Sequence, residues 1–428
     1  MIDLVLRGAS VEGQPEPVDI AIDDGRIVSV GIPVGRPVRA EIGLEGRLVL
    51  PGFVNSHIHL DKTFVGGLAE SGIMTDGVAA GRALKRRYTR QDIQARARRA
   101  INLAIRHGTT ALRTCADVDP IVGTLCVEAL AELRDEYAGR ITMQIVAFPQ
   151  EGVLGVDGMP EMLGRAMKAG ADVLGGRPHG DPDPQAHVDL MFRLAQDLDC
   201  PLDMSVDALF PPQPIDPMAL GIARVARKTI EAGYQGRVTV HHVLALSAVP
   251  PGPAAEVVAL AKEARLNVIT NPTSNLFTEG RTDGVNPRRG LTRVKDFLAA
   301  GVNVSMGTDN IDDTYLPYVH ADLLLEAFLA SAAAHLGTAA ERRALLRMVT
   351  GSGARTLGIE AEYGLAPGRR ADLVVLDACT VDEVITHQPE KRYVFKAGCL
   401  MTSNCRTTEF WAGGAGRPGD TGMGRGAA

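Results

Sequence analysis

Two histidines with one residue between them stand in the run Pro51-Gly52-Phe53-Val54-Asn55-Ser56-His57-Ile58-His59-Leu60-Asp61-Lys62. On a strand, alternate side chains share a face, so both imidazoles of this pair point the same way. Two neutral ring nitrogens on one rigid element make the first half of a zinc or iron site. Far along the chain, Met306-Gly307-Thr308-Asp309-Asn310 ends another apolar run. A carboxylate placed there can bind a metal ion and accept a proton from water; taken alone, Asp309 reads equally well as a helix N-cap. Between them lies His241-His242. Strict alternation lets only one of that pair face inward. The chemistry these residue types support is hydrolysis by water that a divalent ion activates.

Something must bring these distant segments to one place. From residue 48 onward, short apolar runs alternate with amphipathic helical stretches such as QDIQARARRAINLAIRHG and PAAEVVALAKEARL. The candidate strands are 48–54, 110–114, 141–148, 171–176, 201–206, 237–243, 267–272 and 303–309. Eight strand–helix units predict a closed (β/α)8 barrel with function at the C-terminal strand ends, where the histidines and Asp309 fall. No GxGxxG follows a strand, which argues against an open doubly wound sheet. Residues 1–50 alternate differently, with period two in DLVLRGA and VDIAIDDGRIVSVG broken at Asp24-Gly25, the texture of antiparallel hairpins. It returns in ADLVVLD (371–377) and RYVFKAG (392–398). The expected organisation is a barrel over 51–355 and a small β-sandwich-like domain from 1–50 and 356–410, with a flexible tail over 411–428.

Bulk properties remove several function classes. The 428 residues suffice for one large barrel and a smaller domain. Net charge is −6 and the basic residues are scattered, so no nucleic-acid footprint is expected. No apolar run approaches the ~20 residues of a membrane span, and the N-terminus lacks the pattern of a signal peptide. The six cysteines are dispersed without a CxxC and read as reduced thiols, so a cytoplasmic location is expected.

The PGFVNSHIHLDKT stretch, the strand-six histidine and GTDN together resemble the amidohydrolase superfamily. IVAFPQEG (145–152), AGADVLGGRPH (169–179), GRVTVHHV (236–243), ITNPTSN (269–275), the 279–313 stretch and GLAPGRRADLVVL (364–376) are similar to its cytosine deaminase-like branch. The LDK after HxH is also similar to isopropylammelide amidohydrolases. The resemblance implies one divalent metal ion (zinc, iron or manganese) held by His57, His59 and Asp309. It implies catalytic roles for Asp309 and for His242 beside the metal site. Gln150 would bind the amide edge of a ring, using a donor and an acceptor. Asn310 and Tyr315 would line the substrate pocket, and Lys62 would be either a pocket cation or a solvated one.

Strand five departs from the family pattern, in which a metal-binding histidine is followed three residues on by a proton-shuttling glutamate. Ser205 and Ala208 occupy those positions, and the family's strand-two RTHVD appears as Arg113-Thr114-Cys115-Ala116-Asp117. Asp203 and Asp207 share the parity of Ser205, which makes Asp207 a candidate substitute ligand, with a cap or salt-bridge reading preferred. His179 is a more distant one, with a surface-loop reading preferred. His187 reads as structural and Cys115 as inert packing. The expected function is metal-dependent hydrolysis of a C–N bond in a small nitrogen heterocycle, by deamination, N-dealkylation or amide hydrolysis. A degenerate barrel that binds such a heterocycle without turnover is the alternative; a metal-independent lyase or isomerase has no positive support. The resemblance further implies a small-molecule substrate and a homo-oligomer.

Overall fold

The structure, a computed structural model, describes residues 1–66, 74–211, 214–281, 283–286 and 288–408. The tail expected over 411–428 lies outside the described residues. The chain opens with β1 (Ile2–Ala9), β2 (Val18–Asp23), β3 (Arg26–Val30) and β4 (Val38–Gly43), in the sheet order β3-β2-β1-β4. The β2–β3 hairpin turns at Asp24 and Gly25, whose φ values of 48° and 70° place both in the left-handed region. That pair of positive φ values is what a two-residue hairpin needs and what an Asp-Gly dipeptide tolerates.

The run expected as the first barrel strand divides in two. Leu48–Pro51 forms β5, and the barrel begins with β6 (Phe53–Ile58). The break falls at Gly52, where an added Cβ would lie 2.2 Å from Thr110 Cγ2. Only a residue without a side chain lets the backbone pass so close to its neighbour.

Seven further strands complete the barrel: β7 (Thr109–Asp117), β8 (Thr142–Phe148), β9 (Val173–Gly176), β10 (Leu202–Val206), β11 (Val238–His242), β12 (Asn267–Thr270) and β13 (Asn303–Met306). They lie side by side in chain order, and every pair is parallel. Helices cover the outside, so the strands are buried on both faces and read as apolar runs rather than alternating ones. The seam between β13 and β6 is joined at the mouth: Asp309 N donates to His57 O at 3.0 Å, and His59 N donates to Asp309 O at 3.2 Å. The fold is thus a (β/α)8 barrel.

After the barrel come β14 (Leu373–Leu376), β15 (Lys391–Lys396) and β16 (Cys399–Ser403). With β5 they make a second four-stranded sheet, β16-β15-β14-β5. Leu4, Leu6, Ile20 and Ile27 pack with Leu373, Val375 and Phe395 in one buried cluster, so residues from both chain ends share a core. Among the described residues, no helix is long and apolar enough to cross a membrane.

One buried polar cluster ties the barrel floor together. Arg113 Nη1 donates to Asp203 Oδ2 at 2.9 Å and to Thr239 Oγ1 at 3.2 Å, and Nη2 donates to Thr356 O at 2.7 Å. Removing one partner of a buried pair strands the other charge, at a cost of about 3–5 kcal/mol. Arg113→Ala is therefore expected to lose about that much stability, read from urea unfolding. A loss below about 1 kcal/mol would show that the cluster is not a structural tie.

Candidate active site

His57 and His59 lie at the end of β6, and Asp309 stands just past β13, with φ of 58°. A left-handed conformation at a non-glycine residue is uncommon and clusters at functional sites. It turns the carboxylate back across the seam. His57 Nε2 lies 3.1 Å from Asp309 Oδ1, and His59 Nε2 lies 3.4 Å from the same oxygen. Ligand atoms held by one zinc ion at its usual bond lengths are about 3.3 Å apart when tetrahedral. Gly307 permits the approach: a Cβ there would sit 2.5 Å from His57 O. Asp309 is no N-cap; it is the point where the two seam strands meet.

At the end of β11 strict alternation fails. His242 and Val243 take φ values of 72° and 51°. Both His241 and His242 consequently line the cavity at the barrel mouth, with ring centroids 4.8 Å apart. The expectation that only one could face inward is corrected by this backbone turn. His241 lies 4.0 Å, centroid to centroid, from His57. Ring nitrogens of His57, His241 and His242 fall within 4.8 Å of one another. His242 Nδ1 lies 2.8 Å from the amide oxygen of Asn275, which fixes the proton on Nδ1 and leaves Nε2 as the lone-pair donor.

Burial pushes the pKa values of His59, His241 and His242 down, so these rings are neutral, as metal ligands must be. Burial pushes the Asp309 carboxyl up, but the His57 hydrogen bond and the nearby imidazoles hold it well below the usual carboxylate range. With the buried rings neutral, the hydrogen bond carries most of that pull. His59 Nδ1 and both ring nitrogens of His241 are buried without a hydrogen-bond partner. Unpartnered buried nitrogens around an ionised carboxylate fit a divalent cation better than they fit an apolar core.

Lys62 is a buried cation at the cavity wall, not a solvated one. Its Nζ donates to Asp117 Oδ1 at 2.9 Å and to Gln150 Oε1 at 3.4 Å. Burial lowers the Lys62 pKa, but Asp117 and Asp61 outweigh it and raise it well above the ordinary value. Lys85 Nζ holds the other Asp117 oxygen at 2.6 Å, so one carboxylate serves two ammonium groups. Asp61 Oδ2 accepts from Asp117 N at 2.8 Å. Burial first, then Asp117, pushes the Asp61 carboxyl up to about 6.

The remaining sequence-predicted residues fall as follows. Gln150, Asn310 and Tyr315 all line the same cavity as His59, Lys62 and Asp309. Asn310 Nδ2 donates to Asp313 Oδ2, and Asp313 Oδ1 accepts from Tyr315 N at 2.8 Å, so Asp313 shapes the loop that presents Tyr315. Asp207 does not serve as a substitute ligand. Its carboxylate accepts from Gly221 N at 2.7 Å and Ile222 N at 2.9 Å, at the start of the helix Gly221–Glu231. A φ of 53° swings it away from the strand parity that suggested it. His179 lines the cavity rather than lying on a surface loop, and burial, then Arg177, lowers its pKa to about 3. His187 is structural: Nδ1 lies 2.6 Å from Asp181 Oδ2, and Nε2 accepts from Arg177 N. Cys115 packs with Sγ 3.8 Å from His57 Nδ1, and burial holds the thiol neutral. Ser205 and Ala208 also line the cavity.

Two wall residues escape the sequence reading. Arg177, at the end of β9, donates Nη1 to Gln150 O at 3.0 Å and adds a second cation to the cavity. The signal was available: a charged residue directly after a barrel strand belongs to the functional face. His241, one of a pair of which alternation admits a single inward member, joins the wall through a local left-handed turn that leaves no mark on strand periodicity.

A model of the amidohydrolase family matches residues 40–402. The N-isopropylammelide isopropyl amidohydrolase of Pseudomonas sp. (strain ADP) is 30% identical over 414 residues, 94% of this chain and 98% of that protein. The crystal structure of 5-methylcytosine deaminase from Klebsiella pneumoniae with phosphonocytosine has a TM-score of 0.88. It is 29% identical, over 95% of this chain and 100% of that one. The structure of N-isopropylammelide isopropylaminohydrolase from Burkholderia multivorans has a TM-score of 0.83, with 29% identity over 94% and 99% of the two chains.

Proposed function

The chain belongs to the amidohydrolase family, and from that premise we propose that it hydrolyses a C–N bond of a small nitrogen heterocycle with one divalent metal ion held by His57, His59 and Asp309. The observation that carries this reading is the convergence of His57 and His59, at the end of the first barrel strand, on one carboxylate oxygen of Asp309, just past the last, beneath a cavity walled by polar side chains. The ion, when bound, lowers the pKa of water and polarises the carbon under attack.

The chain's own groups divide the remaining work. Asp309, buried and ionised, takes a proton from the attacking water. His242, its ring fixed by Asn275 with the proton on Nδ1, presents the Nε2 lone pair as an acceptor that orients the attacking water or a substrate N–H. In the balanced reaction a C–O bond forms, the C–N bond breaks, and the amine or ammonia leaves with the proton relayed from Asp309. Lys62 and Arg177 place two cations at the wall, which suits a ring rich in carbonyl oxygens or an anionic ring. Gln150 lies between them and orients the ring edge.

Ala208, which puts a methyl group at the cavity wall where the family resemblance implies a glutamate, favours a second reading: a barrel that binds such a ring without turnover. One experiment separates the two. Purified protein is expected to carry about one zinc, iron or manganese per chain. It should release amine or ammonia from a panel of cytosine, 5-methylcytosine, pterin and N-alkylated hydroxytriazine, and lose that activity to a chelator reversibly. A ring that raises Tm but is never cleaved supports the binding barrel. Protein that stays metal-free after incubation with all three ions sinks the hydrolase reading.

A further inference from the structure

We infer that His241 is a metal ligand of this chain, standing in for a ligand that strand β10 does not supply. The inference rests on the metal-dependent reading above. His57, His59 and Asp309 form three sides of a site, and an ion of this kind takes a fourth protein or water ligand. In the paired register of β10 and β11, Ser205 lies directly beside His241. A small side chain on one strand thus faces an imidazole on the next, at the same height in the barrel. A ligand moved sideways by one strand reaches the same ion.

Three observations support His241. It is fully buried, yet neither ring nitrogen has a hydrogen-bond partner. Buried imidazoles in a packed core find partners; one with two orphan nitrogens is waiting for something. It stacks against the metal-site ring of His57 at 4.0 Å. And Asp203 Oδ1, itself without a hydrogen bond, lies 3.7 Å behind its Nε2. A carboxylate behind one nitrogen draws the ring proton to that side and leaves the other nitrogen as donor, the arrangement common around metal-bound histidines. Arg113 anchors Asp203 in turn.

Among the competing donors, Cys115 Sγ lies within 4.8 Å of ring nitrogens of His57 and His59 and is the rival that the test separates. Asp207 is committed to backbone amides. Cys115 approaches His57 at Nδ1, whereas Asp309 meets that ring at Nε2. His179 is a wall residue whose ring faces the Ser205 backbone.

The test reads metal binding in the full-length protein, not turnover. Zn²⁺ affinity is measured by competition with a chromophoric chelator, and Co²⁺-loaded protein is examined by visible absorption. H241A is expected to weaken Zn²⁺ binding by more than ~100-fold, beyond the 10–100-fold typical of an outer-shell partner, and to alter the cobalt d–d bands. The double variant H241S/S205H returns an imidazole to the neighbouring strand and should recover most of the affinity. C115S should bind Zn²⁺ like the parent. H241A with parental affinity and an unchanged cobalt spectrum overturns the assignment. A thiolate-to-cobalt charge-transfer band in the unmodified protein also overturns it, in favour of Cys115, and needs no variant to fold. Those outcomes leave the metal reading intact if H57A abolishes binding. An unmodified protein that takes up no metal removes both.

Discussion

Asp309→Asn is expected to lower kcat by on the order of 10³-fold while the barrel stays folded. The amide keeps the shape and one oxygen donor but loses the charge and the ability to accept a proton. General-base groups are worth about 10²–10⁴ in rate, and the function proposed above gives Asp309 that role together with charge neutralisation beside the ion. The same oxygen receives both His57 and His59, so the substitution also unsettles two rings at once. Initial rates together with metal content decide the matter. A variant that keeps its metal and more than a tenth of parental kcat would show that the proton goes elsewhere, with His242 the next group in reach.

The second large effect concerns stability rather than rate. Glu326 is completely buried, in the helix Leu323–Ala333, with Oε2 accepting from Thr273 N at 2.9 Å and Oε1 unpartnered. Burial raises its pKa from 4.5 to about 8, more than the hydrogen bonds from Thr273 lower it. Asp309 and Asp322 add to the rise, and His320, 3.6 Å away, is itself pushed towards neutrality by burial. The native state therefore keeps a proton that the unfolded chain releases above its ordinary pKa. Stability from this group is full below about pH 4.5 and falls as pH rises to about 8, at ~1.4 kcal/mol per pH unit. The accumulated loss is on the order of 4 kcal/mol by about pH 8. Glu326→Gln mimics the neutral acid. It should match the parent near pH 5 and exceed it by several kcal/mol near pH 8, in denaturant unfolding at the two pH values. Parallel curves for the two proteins would refute a protonated Glu326. Because Thr273 opens the short helix that carries Asn275, and Asn275 orients His242, a neutral Glu326 also helps hold the site.

What the sequence revealed and what it hid follow from how local each signal is. HxH parity, the carboxylate after GT and eight strand–helix units are short-range patterns, and the positions of His57, His59, Asp309 and the barrel strands could be read from them. Gln150 and Tyr315 reached the cavity wall through family resemblance, not residue type. Three features needed coordinates. The positive φ values at Asp207 and at His242–Val243 overrode period-two alternation, sending one acid away from the site and bringing an extra imidazole into it. The pairing of Lys62 and Lys85 on one buried Asp117 joins residues whose sequence gives no hint of contact. The division of 48–58 into two strands depended on the crowding at Gly52, which only the packed neighbour Thr110 explains.

The placement of β5 has a consequence for biogenesis. Residues 48–51 leave the ribosome early, yet apart from a bridge between Ser10 and Leu48 their strand partner among the described residues, β14, begins at Leu373. On the side that β14 pairs, the segment leading into the strand that carries His57 must therefore stay an open edge through most of translation, and closing it late makes a slow, high-contact-order step. Until then the exposed Leu48-Val49-Leu50 backbone is a template for wrong pairing. Low-temperature expression or a holding chaperone should raise the yield of active protein more than it raises total synthesis, and nascent chains stalled before residue 373 should be the ones that proteases and aggregates capture.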